Sequence, residues 1–307
     1  VNTELTVLKR DKAVSQGDTI RMLLDESKRS SRAVPIRRAF VQDARPGPRL
    51  VTQPGPLRHL LRSPERLELF LLVHCVAARG PLPRGRVDGD WGVTRRSETW
   101  GRAAGISFAT DGTASAAVSR HLAKLKKLKL ISTAPDGRMT RITKLLEDGS
   151  GDPYTLPSGN WEGSRKDIYF KVPFAYWEQD YYKSLTMPAK AMLFIFMSQR
   201  SRSFVLYKDK QFASWYGVSP ATVGRGITEL KAKGLLYEFL TEQYLDGSSI
   251  FGQSTGVRWA LAAPFDLNVN KTDREAAAAA WTPAGAASTA LRIASGVPVL
   301  SGTMARE

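Results

Sequence analysis

Cysteine is nearly missing from this 307-residue chain. Cys75 is the only one, so no internal disulfide can form, and a reducing, cytoplasmic setting is expected. Histidine is almost as scarce: His59, His74 and His121 are scattered without metal-ligand spacing, so no metal centre and no cofactor are predicted. Long apolar runs are lacking too. The longest, Leu67 to Ala78, is twelve residues interrupted by Glu68 and His74, too short and too polar to cross a bilayer. The first residues do not show the basic-then-apolar pattern of a secretion signal, and no membrane partner is expected. The spacing Gly-x-x-x-x-Gly-Lys is absent, which argues against a nucleotide-driven motor.

Acidic residues are in deficit: Asp+Glu number 29 against 45 Lys+Arg, a formal net charge of +16. A hydrophobic content of 42% with 9% aromatics excludes a wholly disordered polycation, so the expectation is a folded protein whose partner is a polyanion, nucleic acid before a membrane face. The surplus is uneven. Residues 1–62 carry 13 basic and 6 acidic side chains, residues 63–150 carry 15 and 9, and residues 151–270 carry 13 and 11.

The most informative feature is an internal repeat. Ser115 to Ile131 aligns without a gap onto Pro220 to Leu236, with identities at Ala116/Ala221, Val118/Val223, Arg120/Arg225, Leu125/Leu230, Lys126/Lys231 and Leu130/Leu235. Upstream, Pro64 to Leu71 matches Pro188 to Ile195, and Trp100 to Ser107 matches Phe212 to Ser219, so the first copy carries an insertion near Phe108 to Ala114. Each copy reads as helix, helix, turn, helix and hairpin. In the second, a helix over Asp209 to Tyr216 ends at Gly217, and Ser219 caps a third helix with Pro220 in its first position. Val223, Ile227 and Leu230 form the buried stripe of that helix, leaving Ala221, Thr222, Arg225, Thr228 and Glu229 facing outward. In the first copy Val118, Leu122 and Leu125 are buried, while Ala116, Ala117, Arg120, Lys124 and Lys127 face outward. Small residues with one central arginine suit a major groove, where arginine pairs with guanine and small side chains meet thymine methyls. The first hairpin turns at Pro135-Asp136-Gly137, with Arg138 and Arg141 expected on one strand face toward phosphates; the second flanks a loop over Asp246 to Gly256 and carries Arg258.

The segment FASWYGVSPATVGRGITELKAKGLL resembles the helix-turn-helix core of winged-helix DNA-binding domains, and two copies in one chain resemble the tandem arrangement of plasmid replication initiators and some repressors. The resemblance covers roughly Pro64 to Thr143 and Ile168 to Leu261; the first copy departs from it through its insertion and through Lys129 where the second has Gly234. It implies an α+β fold, mainly α with small β-hairpin wings, organised as two winged-helix domains in tandem. The expected division is a basic, partly disordered arm (1–62) with one short helix over Gly17 to Ser27, a first domain (63–147), a Gly/Pro/Ser-rich linker (148–167), a second domain (168–270) and a flexible Ala/Gly-rich tail (271–307).

The expected function is sequence-specific binding of double-stranded DNA by a non-enzymatic, nucleoid-associated transcriptional regulator. The alternatives are a plasmid or phage replication initiator or partition protein, and a scaffold whose second domain binds protein. Self-association is a possible further property. Expected contacts are Ala116, Ala117, Arg120, Lys124, Lys127, Arg138, Arg141, Ser219, Pro220, Ala221, Thr222, Arg225, Thr228 and Arg258, with Arg37 and Arg38 of the arm, beside Lys28, Arg29 and Arg32, tracking a minor groove or phosphates. The aromatic cluster from Tyr169 to Tyr182 is read as core rather than as a stacking platform for single strands. Tyr181-Tyr182 lacks the histidines or arginines of a nicking site.

Overall fold

The computed structural model describes residues 14–45, 51–77, 91–106, 113–157, 167–199, 203–206, 210–245, 250 and 253–266. The tail, residues 107–112 of the first copy's insertion, and residues 158–166 of the expected linker lie outside them. The fold is mixed α/β, with four small antiparallel sheets among the described residues.

The chain opens with α1 (Gln16–Glu26), whose start is fixed by reciprocal capping between Ser15 and Asp18, and which buries Ile20, Leu23 and Leu24. Next come β1 (Ala33–Arg37), a 3-10 turn over Arg38–Phe40, and a hairpin of β2 (Gln42–Arg45) and β3 (Val51–Pro54). The first repeat follows: α2 (Leu57–Leu60), α3 (Pro64–Val76), β4 (Gly92–Arg95), α4 (Ser97–Ala104), α5 (Thr113–Lys127), and the hairpin β5 (Ile131–Asp136) and β6 (Met139–Lys144). The second runs β7 (Tyr169–Pro173), α6 (Ala175–Glu178), α7 (Tyr181–Ser184), α8 (Met187–Met197), β8 (Phe204–Val205), α9 (Lys210–Tyr216), α10 (Pro220–Ala232), β9 (Leu236–Leu245) and β10 (Gln253–Leu261). The two three-stranded sheets share one topology: β4-β6-β5 in the first repeat and β8-β10-β9 in the second, so the strand before the two-helix turn always pairs with the last strand of the hairpin. Pro64 and Pro188 stand in the first turns of equivalent helices, where a missing N–H is harmless, and Ser63 and Thr186 cap them.

Three boundaries differ from the sequence reading. Most of the expected arm is folded. β1 pairs antiparallel with β7 of the second repeat, Ala33 opposite Pro173 and Arg37 opposite Tyr169, and α1 packs on α3 and α4. Residues 148–157 are anchored to the first repeat rather than forming a free linker: Leu145 bridges Pro153, and Tyr154 is buried beside Trp91. The two repeats are not separate domains either, since residues up to Asp266 form one compact unit. The physical reason is pairing between segments distant in sequence, which local composition does not reveal.

Two buried charge networks join the parts. Glu68 of α3 accepts hydrogen bonds from the Tyr176 hydroxyl (2.7 Å), the Trp177 indole (3.1 Å) and Lys190 Nζ (2.9 Å), all from the second repeat, while Lys190 also donates to the Tyr182 carbonyl. Tyr176 and Trp177 thus occupy the core, and burial beside the Glu68 carboxylate raises the Tyr176 phenol well above its ordinary range. In the second network Arg37, 1% exposed, pairs with Glu147 at 2.9 Å and donates to Thr155. Burial pushes the Glu147 carboxyl up against the opposing pull of Arg37, and holds His74 well below its usual range. Lys144 Nζ lies 3.8 Å from the Tyr154 ring centre and 4.5 Å from that of Trp91; burial, then the nearby Arg29, lowers its amine.

Removing one member of the buried pair leaves the other charge stranded. Glu68→Ala is expected to destabilise the protein by about 3–5 kcal/mol in chemical denaturation, while Glu68→Gln, which keeps one acceptor oxygen but still leaves the Lys190 charge unpaired, recovers only part of that loss.

Candidate nucleic-acid interface

The second two-helix unit is built around a turn. Gly217 follows α9 at φ +63°, a conformation costly to a residue with a Cβ. Ser219 then caps α10, its Oγ accepting from the Thr222 N–H at 3.1 Å. Val223, Ile227 and Leu230 are buried as expected. Gly226 lets α10 press onto α8: a Cβ there would come within 2.4 Å of the Pro188 carbonyl oxygen and 2.5 Å of Met192 Cγ. Glu229, expected to face outward, instead accepts from the Thr186 backbone N–H at 3.0 Å and from its hydroxyl, tying α10 to the start of α8. Ser219, Pro220, Ala221, Arg225 and Thr228 are left exposed, with Thr222 half-buried.

The first unit repeats this geometry. Gly105 closes α4 at φ +79°, the place of Gly217, and Gln16 of α1 crosses it to donate to the Ala103 carbonyl (3.1 Å). Val118, Leu122 and Leu125 are buried; Ala116, Arg120, Lys124 and Lys127 are exposed, and Ala117 is half-buried. Arg120 and Arg225 therefore emerge at equivalent points of equivalent helices, with no carboxylate bound to either among the described residues. After α5, Lys129 adopts φ +57°, the same left-handed conformation as Gly234 at φ +67° in the second unit. The departure from glycine is absorbed by backbone strain, not by a different turn. The units differ in charge: Lys124 and Lys127 stand where the second has Glu229 and Ala232.

Several expected contacts are corrected. Arg37 is buried in the Glu147 network and cannot reach a ligand surface. Arg38 is half-buried and donates to Gln42 at 3.1 Å. Arg29 donates to the His74 and Cys75 carbonyls, and Arg32 pairs with Glu178, so these cations of the expected arm hold the fold; Lys28 remains exposed. Arg138 and Arg141 do not share a strand face. Arg138 lies exposed in the β5–β6 turn, three residues from Arg141, an odd separation that reverses the side of a strand, and Arg141 is half-buried over Gly92. Arg258 is half-buried, donating to the Ser203 hydroxyl and carbonyl, both at 2.9 Å.

The surface also holds basic residues within the stretch expected to be an arm: Arg58 and the imidazole of His59 on α2 and Arg62 beyond it, beside the end of α5. A signal existed. Leu61 stands three residues before Pro64 as Leu185 stands three before Pro188, so the repeat begins earlier than Pro64 and includes α2.

The close approach of α10 to α8 separates two neighbouring glycines. Gly226→Ala is expected to destabilise by about 1–3 kcal/mol through overpacking. Gly224→Ala, where an added Cβ meets nothing within 4 Å, should stabilise the helix by about 0.5–1 kcal/mol. Urea titration of the two variants measures both.

No protein-family model, no curated protein and no solved structure matches this chain.

Proposed function

We propose that this protein binds specific double-stranded DNA through two winged-helix units, with α5 and α10 as reading helices, and acts as a transcriptional regulator. The observation that carries this reading is the equivalence of Arg120 and Arg225: two exposed arginines without an acidic partner among the described residues, each preceded by small side chains on a helix whose predecessor is closed by a left-handed glycine. Arginine pairs with the O6 and N7 of guanine, and Ala116, Ala221 and Thr222 are small enough to let the helix backbone sit deep in a major groove. Lys124 and Lys127 meet phosphates on the first helix, and the exposed Arg138 of the first wing does the same beside the groove. Among the described residues no group of His, Cys, Asp and Glu could hold a metal, and no helix is long and apolar enough to cross a membrane.

A single packed unit carrying both reading helices favours a composite site of fixed spacing over two independent contacts on a loose tether. The same property suits an initiator bound at origin repeats, which is the second reading. Footprinting in the native host separates them: sites at promoters support the regulator, and repeated sites at an origin support the initiator.

Arg225→Ala should reduce discrimination between cognate and random duplex by about 1–3 kcal/mol, roughly 5- to 150-fold, in a binding titration; an equal loss on both sequences would reduce it to a phosphate contact. Inserting about 5 bp between the two half-sites should abolish joint binding, and about 10 bp, which restores the face but displaces one half-site by about 34 Å, should not recover it in a rigid unit. Equal affinity at every spacing would overturn the fixed arrangement.

A further inference from the structure

A cleft of about 310 Å³ opens between the end of β3, α2, the end of α5 and the turn at Asp148-Gly149. Its lining is polar and strongly one-sided in charge: Arg58, Lys127 and Lys129, beside the imidazole of His59, against Asp148 alone. Asp148 is already occupied, accepting from the Ser150 N–H (2.9 Å) and hydroxyl (2.7 Å). The four basic side chains are exposed, and no carboxylate among the described residues pairs with them. Arg58 donates to His59 Nε2 at 3.1 Å, an arrangement that requires an uncharged acceptor nitrogen. Burial and the positive charges of Arg58, Lys124 and Arg62 all hold His59 below its usual range, as expected of a cation cluster with no anion.

The position of the cleft matters as much as its charge. Arg58 Cδ and Pro54 Cβ would lie within 2.7 and 2.8 Å of a Cβ at Gly217, so the arginine that lines the cleft also covers the turn that launches α10. The cleft therefore sits at the end of one reading helix, and two of its lining residues, Arg58 and Pro54, touch the turn before the other. We infer that it binds a phosphate group, supplied by the DNA backbone between the two half-sites, so that Arg58, His59, Lys127 and Lys129 form a bridge contact separate from both reading faces. The inference rests on the DNA-binding reading for the source of the phosphate but not for the chemistry of the cleft. Three cations and an imidazole lining one polar concavity suit a phosphate oxygen set and do not suit an apolar ligand.

Lys129 supplies a variant that keeps the fold. Its backbone is left-handed, and the second unit has Gly234 in the same conformation, so Lys129→Gly removes a charge while relieving strain. The test uses the full chain, the cognate duplex and inorganic pyrophosphate as the free-phosphate probe. Lys129→Gly and Arg58→Gln should each flatten the slope of log affinity against log salt by about 0.9, and together by about 1.8, while the preference for cognate over random duplex persists. In the wild type, the NMR titration of the His59 ring should move to higher pH on adding duplex. If the chain binds duplex but both variants keep the wild-type slope and His59 does not move, the cleft inference fails and the two-helix reading stands. If no duplex binds, yet pyrophosphate shifts His59 in the wild type and not in Arg58→Gln, the cleft stands as a site for a free phosphorylated ligand and the DNA reading fails. If neither probe acts, both fail.

Discussion

A carboxylate removed from water keeps its charge only where donors surround it, and the donors around Glu68 all come from the opposite repeat. Hydrogen bonds are directional, so the phenol of Tyr176, the indole of Trp177 and the amine of Lys190 fix the angle between the repeats more narrowly than apolar contact could. α8 carries Lys190 and supports α10 through Gly226 and through the bond from Thr186 to Glu229; α3 carries Glu68 and supports α5. The buried side chain of Glu68 thus lies on the path that connects Arg120 to Arg225. Such an arrangement is a poor source of net stability, because desolvating both charges offsets most of their attraction, and a good source of geometric definition.

The formal +16 overstates the charge available to a ligand in the first part of the chain. Arg29, Arg37 and Lys144 are committed internally, to backbone carbonyls, to Glu147 and to the rings of Tyr154 and Trp91, and Arg32 is paired at the surface with Glu178. What remains outward near the reading helices is concentrated around the first unit and α2, where Lys124, Lys127, Lys129, Arg58 and Arg62 stand together without acidic neighbours bound to them. The second unit presents a cleaner small-residue face with less charge. On the proposed reading, backbone affinity and base discrimination are unequally shared between two otherwise equivalent units.

Local rules made much of the repeat legible in advance. The buried stripes at Val118/Leu122/Leu125 and Val223/Ile227/Leu230, the turn at Gly217, the Ser219 cap and the α1 helix all follow from spacing and residue type. The rest depended on partners far away in sequence. Arg37 looked like one more cation of a basic arm because its carboxylate, Glu147, lies 110 positions on. Val34 and Ile36 alternate too briefly around Pro35 to announce a strand, and β1 exists because β7 pairs with it. Lys129 hid a left-handed turn that glycine would have advertised. Each failure concerns a residue whose conformation or burial is set by tertiary contact rather than by its neighbours.

The β1–β7 ladder also has a consequence in time. β1 ends at Arg37 and β7 begins only at Tyr169, so during synthesis the first strand waits with its backbone donors and acceptors unpaired while the whole first repeat emerges. Non-local pairing of this kind is slow because chain closure must be achieved before any contact rewards it. Glu68 is in the same position, made well before the three side chains that satisfy it. The first repeat can therefore assemble its helices and hairpin early, but its innermost surface stays open until the second repeat arrives. Closure of that surface is therefore expected to be the last step of folding.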